Sequence, residues 1–144
     1  MTTQPPAKRP CASCPYREDV PSGVWSEEDY AKLPRYDGPT YAQPGGLFLC
    51  HQHDRDDNRA RVCAGWAGCH DMTQSMALRV AQLTGEVTPE TAEAVYDYTS
   101  PVPLFATGAD AAAHGMREID DPGPEALRAM DKIRRARNDL TPNI

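Results

Sequence analysis

Aromatic side chains are scarce in this chain. Two Phe, two Trp and six Tyr make up 7% of its 144 residues, and a hydrophobic share of 40% is low for a globular domain. A single domain of this length is then expected to have a thin core and to gain from a cross-link. Long apolar runs are lacking as well. No stretch approaches the roughly 20 residues needed to span a bilayer. The opening Met1-Thr2-Thr3-Gln4-Pro5-Pro6 runs into Ala7-Lys8-Arg9-Pro10 with no apolar segment of the secretory kind. Both absences point away from membranes and toward a reduced, cytoplasmic setting. Lysine is rare, at three against twelve arginines, and the net charge of −6 argues against phosphate binding by the surface as a whole.

Turn formers and sulfur are what the chain has in quantity: 14 Pro, 10 Gly and five Cys. About one residue in six therefore interrupts regular structure, chiefly in the first half. Residues 1–10 are polar and proline-rich and are expected to form a flexible tail, with 11–144 as one domain. Ser26-Glu27-Glu28-Asp29 reads as a capped helix start, with Trp25 and Tyr30 at staple positions and Pro34 as the stop. Leu47-Phe48-Leu49 is the best strand candidate and delivers Cys50. The charged stretch from Asp54 to Arg61 reads as a solvated loop tip.

The second half carries helical signals. One helix is expected from Met72 to Leu83, with Met72, Met76, Val80 and Leu83 inward and Gly85 as the stop. Thr88-Pro89-Glu90 opens another, burying Ala92, Val95 and Tyr96. Thr107 caps an alanine-rich helix running to about Ile119. The last helix, Glu125 to Asn138, turns Leu127, Met130 and Ile133 inward and Arg128, Lys132, Arg134, Arg135 and Arg137 outward. The expected fold class is mainly α with little β, a small α+β domain whose irregular N-terminal half is stapled by metal and whose C-terminal half is helical.

Cys11 and Cys14 form a C-x2-C pair, with Cys50 and Cys63 alone further along. In a reducing compartment, thiols gathered from separate segments point to a metal centre rather than to disulfides, because soft metals prefer sulfur ligands and the C-x2-C spacing lets two sulfurs reach one ion. Zinc is the expected metal. A 4Fe-4S cluster is the alternative, since four cysteines with proline directly after the pair suit it too. His51, His53, Cys69, His70 and Arg17 are alternative or surrounding groups: an imidazole could replace a thiolate, and Arg17 could pack over the site or aim a donor at sulfur. The small residues from Cys63 to Cys69 permit close approach of backbone to the centre.

Two enzyme readings compete. A hydrolytic or nuclease-like metal site could use His51 and His53, but no general base or pocket accompanies them in the sequence. A thiol oxidoreductase needs regular structure around its C-x2-C pair, which Pro10 and Pro15 oppose.

Pro10-Cys-Ala-Ser-Cys-Pro-Tyr-Arg17, Pro21-Ser-Gly-Val-Trp25, Gly46-Leu-Phe-Leu-Cys-His51 and Cys63-Ala-Gly65 together resemble a family of small cysteine-rich proteins from actinobacteria and their phages, a domain of unknown function. Ser100-Pro-Val-Pro-Leu-Phe105 and Ala112-Ala-His-Gly115 are similar to its phage branch. The resemblance implies a shared framework on Cys11, Cys14, Cys50 and Cys63 with His51 beside them, and it implies no activity. The expectation is a non-enzymatic metal-binding protein, phage-encoded, that acts in the host cytoplasm by binding a macromolecule. A protein partner is expected, with nucleic acid reachable only through the basic last helix.

Overall fold

The computed structural model describes residues 2–140, 142 and 143. Met1 of the expected tail and Thr141 and Ile144 of the expected domain lie outside the described residues. The architecture is mostly helical: α1 (Glu27–Lys32), α2 (Ala64–Cys69), α3 (Met76–Thr84), α4 (Pro89–Tyr96), α5 (Gly108–Met116) and α6 (Pro124–Ala136) are joined by long loops and short 3-10 turns. Among the described residues there is no extended strand, only three isolated β-bridges.

Helices α1, α3, α4 and α5 begin where a side-chain oxygen takes an orphan amide. Ser26 accepts from Asp29 N, Ser75 from Leu78 N, Thr88 from Thr91 N and Thr107 from Asp110 N. Gly85 ends α3 with φ +78, the left-handed conformation that favours glycine.

Several expected details differ. The helix expected over Met72–Leu83 is two pieces: Asp71 caps a 3-10 turn at Met72–Gln74, and Ser75 then starts α3. The extra cap rotates the face, so that Ala77, Leu78 and Ala81 are buried and Leu83 is 88% exposed. In α4 the buried set is Thr91, Ala92 and Val95, with Tyr96 outside. In α6 Ala126 replaces the exposed Leu127. The thin core accounts for these shifts, because close helix packing is reached with alanine where a larger side chain has no room. The 63–69 stretch is itself a helix, α2, which its glycines concealed. The Leu47–Leu49 strand shrinks to one antiparallel bridge, Leu49 with Val62.

Two glycines allow the closest helix contacts. The β-carbon of an alanine at Gly115 would enter the ring of Tyr30, and at Gly108 the backbone of Leu33, so α5 presses flat against α1 and the turn that follows it. The N-terminal segment is held at two residues: Thr3 N donates to Glu86 O and Gln4 N to Ala60 O, both at 2.8 Å, and Val62 N donates to Gln4 O. Residues 4, 61–62 and 49 thus lie side by side, the β-like patch that supports the cysteine-bearing segments.

Candidate functional site

Three local structures deliver the cysteines. Cys11 and Cys14 close a tight turn through Cys14 N–H to Cys11 O, 3.0 Å. Cys50 and Cys63 follow the two sides of the Leu49–Val62 bridge, with Cys50 N donating to Arg61 O and Cys63 N to Phe48 O, both at 2.9 Å. Cys63 then serves as the N-cap residue of α2.

The four thiols meet in a chain of contacts. Cys14 Sγ lies 3.9 Å from Cys63 Sγ, and Cys11 is near enough to Cys14 and Cys50 for both to shift its thiol. Cys14, Cys50 and Cys63 are buried and Cys11 is half-buried. Among the described residues no three His, Cys, Asp or Glu donors close onto a single point as they stand. Charge within the cluster is shared unevenly. Hydrogen bonds from Cys14 and Cys50, then His51, hold the Cys11 thiol far below its ordinary range against the opposing effect of burial. Cys14 is pushed up by Cys11 first and Cys63 second, and Cys50 by Cys11 and then by burial. An anion at Cys11 thus suppresses ionisation of Cys14 and Cys50, the usual response of like charges confined together.

His51 belongs to this cluster. Its Nε2 is 3.0 Å from Cys11 Sγ and 2.8 Å from Ser13 Oγ, and its ring sits 4.7 Å from that of Trp25. Its carbonyl accepts from Arg137 Nη1 at 3.0 Å. Arg17 does not aim at sulfur. It donates to Pro10 O at 2.9 Å and makes a two-pronged pair with Asp19, bracing the entry to the C-x2-C turn.

The other candidates lie apart. His53 lines a cleft of about 440 Å³ whose walls also include Cys11, Cys14, Cys50, Cys63 and His51. His70 Nδ1 is 3.6 Å from Asp37 Oδ1, and its ring faces Tyr16 at 5.7 Å. Burial holds the His70 imidazole below its ordinary range, with Asp37 opposing. Cys69 ends α2 half-buried, its thiol pushed up to about 12 by burial and then by Asp37.

Four residues of the site carry little sequence signal. Ser13, Trp25 and Arg137 act through a backbone atom or a neighbouring ring, and each looks like an ordinary turn, core or surface residue in the sequence. Trp25 Nε1 donates to Ser13 O at 2.9 Å, so the indole fixes the C-x2-C turn from beneath. Gly65 is the fourth. It is where the close approach expected of the 63–69 stretch occurs, because the first turn of α2 backs onto Cys14 Sγ and Tyr16 with no room for a β-carbon.

A second cavity, about 260 Å³, lies between Asp37, Trp66, His70 and Gln74. Trp66 Nε1, His70 Nε2 and Tyr16 Oη are buried without hydrogen-bond partners among the described residues. Asp37 accepts from Gly108 N at 2.7 Å and Ala109 N at 2.8 Å at the start of α5.

A family model described as a family of unknown function, DUF6283, matches residues 6–137. No curated protein matches the chain, and no solved structure does.

Proposed function

We infer that this chain, which belongs to the DUF6283 family, is a small metal-binding protein in which Cys11, Cys14, Cys50 and Cys63 hold one zinc ion as a structural staple. The observation that supports this reading is that cysteines from three remote segments line one cleft, with Cys14 Sγ 3.9 Å from Cys63 Sγ. Buried thiols without a bound ion contribute only as small hydrophobes, and a buried pair such as Cys14 and Cys63 adds little by packing alone. The same side chains around an ion contribute folding free energy directly.

Zinc is favoured over a 4Fe-4S cluster by spacing. Four thiolates at about 2.3 Å from one zinc define a tetrahedron with edges of about 3.8 Å. The Cys14–Cys63 separation of 3.9 Å suits that edge. A cluster places each thiolate on a different iron with inorganic sulfide between them, and needs wider spacing. His51 then serves as a hydrogen-bond partner of Cys11 rather than a fifth ligand. The competing enzymatic site on His51 and His53 gains no support, since His51 Nε2 is taken up by Cys11 and Ser13.

The wider role proposed is binding of a protein partner in the host cytoplasm by a phage-encoded member of the family, on the resemblance of its motifs to the actinobacteriophage branch. Among the described residues no helix is long and apolar enough to cross a membrane. Arg128, Lys132 and Arg134 on the exposed face of α6 are the groups through which nucleic acid could be met instead. Elemental analysis of the purified protein with an absorption spectrum tests the metal. One equivalent of zinc and no visible charge-transfer band is the expected result. Iron with acid-labile sulfide would replace zinc by the cluster, and a folded protein that neither carries nor takes up metal would end the reading.

A further inference from the structure

The four clustered cysteines are not equivalent. Cys14 and Cys63 are 1% and 5% exposed and Cys50 is 9%, whereas Cys11, beside the 440 Å³ cleft, is half-buried. All four cysteines line that cleft, and the sulfur best placed to meet a small solute is that of Cys11, the most exposed of the four. That sulfur also has a suitably placed partner. Cys11 and Cys14 are the first and fourth residues of a turn closed by a 3.0 Å backbone hydrogen bond. Such a turn holds its terminal Cα atoms within about 7 Å, which overlaps the 4.4–6.8 Å range that a disulfide requires. Cys69, the other half-buried cysteine, has no thiol at hydrogen-bond distance among the described residues.

We propose that Cys11 is the site at which hydroperoxides oxidise this centre, closing a Cys11–Cys14 disulfide and releasing the metal. The Cys11 thiolate attacks the outer peroxide oxygen, and the O–O bond breaks. Sulfur takes the hydroxyl as sulfenic acid, while the alkoxide or hydroxide leaves and is protonated by water in the cleft. The Cys14 thiolate then attacks the Cys11 sulfur, forming the S–S bond and expelling hydroxide, which leaves as water. Two thiolates, one hydroperoxide and two protons become a disulfide, an alcohol (water, when the oxidant is hydrogen peroxide) and a water, with two electrons passing from sulfur to oxygen. An ion held by four thiolates loses two of them in one event. The release step rests on the zinc reading, whereas the oxidation step rests on exposure and turn geometry alone.

The full-length protein as purified, with its metal content measured on the same sample, is treated with graded hydrogen peroxide, quenched with iodoacetamide and mapped by peptide mass spectrometry, while a chromophoric indicator follows zinc. The expected first product is a Cys11–Cys14 disulfide, with one zinc released for each disulfide formed. First modification at Cys69, or a Cys11–Cys50 or Cys14–Cys63 disulfide in its place, would overturn the assignment. Cys11→Ser should slow peroxide-driven zinc release at least about tenfold, with Cys69→Ser unchanged. If Cys11→Ser does not fold, the order of products in the unaltered protein decides. A folded, metal-free sample that still forms Cys11–Cys14 first would end the zinc reading and keep this one.

Discussion

Gly65 stands directly behind Cys14: its Cα faces the buried sulfur so closely that a β-carbon would collide with Sγ and press within 2.9 Å of Tyr16 Cβ. Neither neighbour can yield easily, because Cys14 is 1% and Tyr16 0% exposed. Gly65→Ala should therefore cost about 1–3 kcal/mol through overpacking and weaken metal retention at the same time. Gly45→Ala meets nothing within 4 Å and should leave the protein as stable or slightly more so. Urea denaturation and a competitive zinc-chelator titration on both variants check this. Equal behaviour would mean that the approach of α2 to Cys14 is not a constraint.

On the proposed zinc reading, changing Cys14 and changing Cys69 should differ sharply. A structural zinc site contributes apparent binding free energies of about 10–16 kcal/mol, comparable with or larger than the ~5–15 kcal/mol of a whole domain. Cys14→Ser is expected to lose zinc and unfold cooperatively. Cys69→Ser should keep its zinc and change stability by no more than about 1 kcal/mol. Metal content and thermal melts of the two variants would expose a wrong ligand set if both proved equally tolerated.

Tyr30 anchors α1 through its hydroxyl, which accepts from Val24 N at 3.1 Å and Trp25 N at 3.0 Å in a buried setting. Tyr30→Phe retains the ring against Gly115 and strands both amides. A loss of about 2–6 kcal/mol is expected, since each orphaned buried donor costs about 1–3 kcal/mol. Tyr96→Phe, whose hydroxyl meets Gln82 at the surface, should be nearly silent. Denaturant midpoints compare the pair directly.

Burial depresses the His70 imidazole, so the folded protein binds its proton less readily than the unfolded chain does. The unfolded state therefore takes up more protons as pH falls below its value of about 6.5, and stability declines with acidification. Above that value the contribution is fully present. His70→Phe keeps a ring against Tyr16, removes an unpartnered buried nitrogen and should flatten the decline. Unfolding free energies at about pH 7.5 and 5.5 test it, and an unchanged slope in the variant would assign the acid sensitivity elsewhere.

Local features were the most legible in the sequence. The N-caps at Ser26, Thr88 and Thr107 and the stop at Gly85 depend on a few neighbouring residues, and the structure has them where the pattern puts them. Which face of a helix points inward was less legible. In α3 and α6 an alanine is buried where a larger neighbour was expected, because the closeness of a facing element decides how large a side chain can fit. Helix α2 was hidden because its two glycines read as loop, whereas in place they provide room for Cys14 and for Leu104 and Tyr98.

The sequence by itself determined that this is a mainly helical chain with too few large apolar residues for a deep core and with cysteines in a spacing suited to a shared centre. Residue type and local spacing carry that information. Only the tertiary structure decided that Cys14 is buried and Cys11 half-open to the cleft, that His51 faces Cys11 while His70 faces Asp37, and that Arg17 braces a turn instead of a sulfur. Those outcomes depend on which remote segments lie side by side. The bridge between Leu49 and Val62 and the seat of α2 behind the C-x2-C turn set that, and no local pattern encodes either.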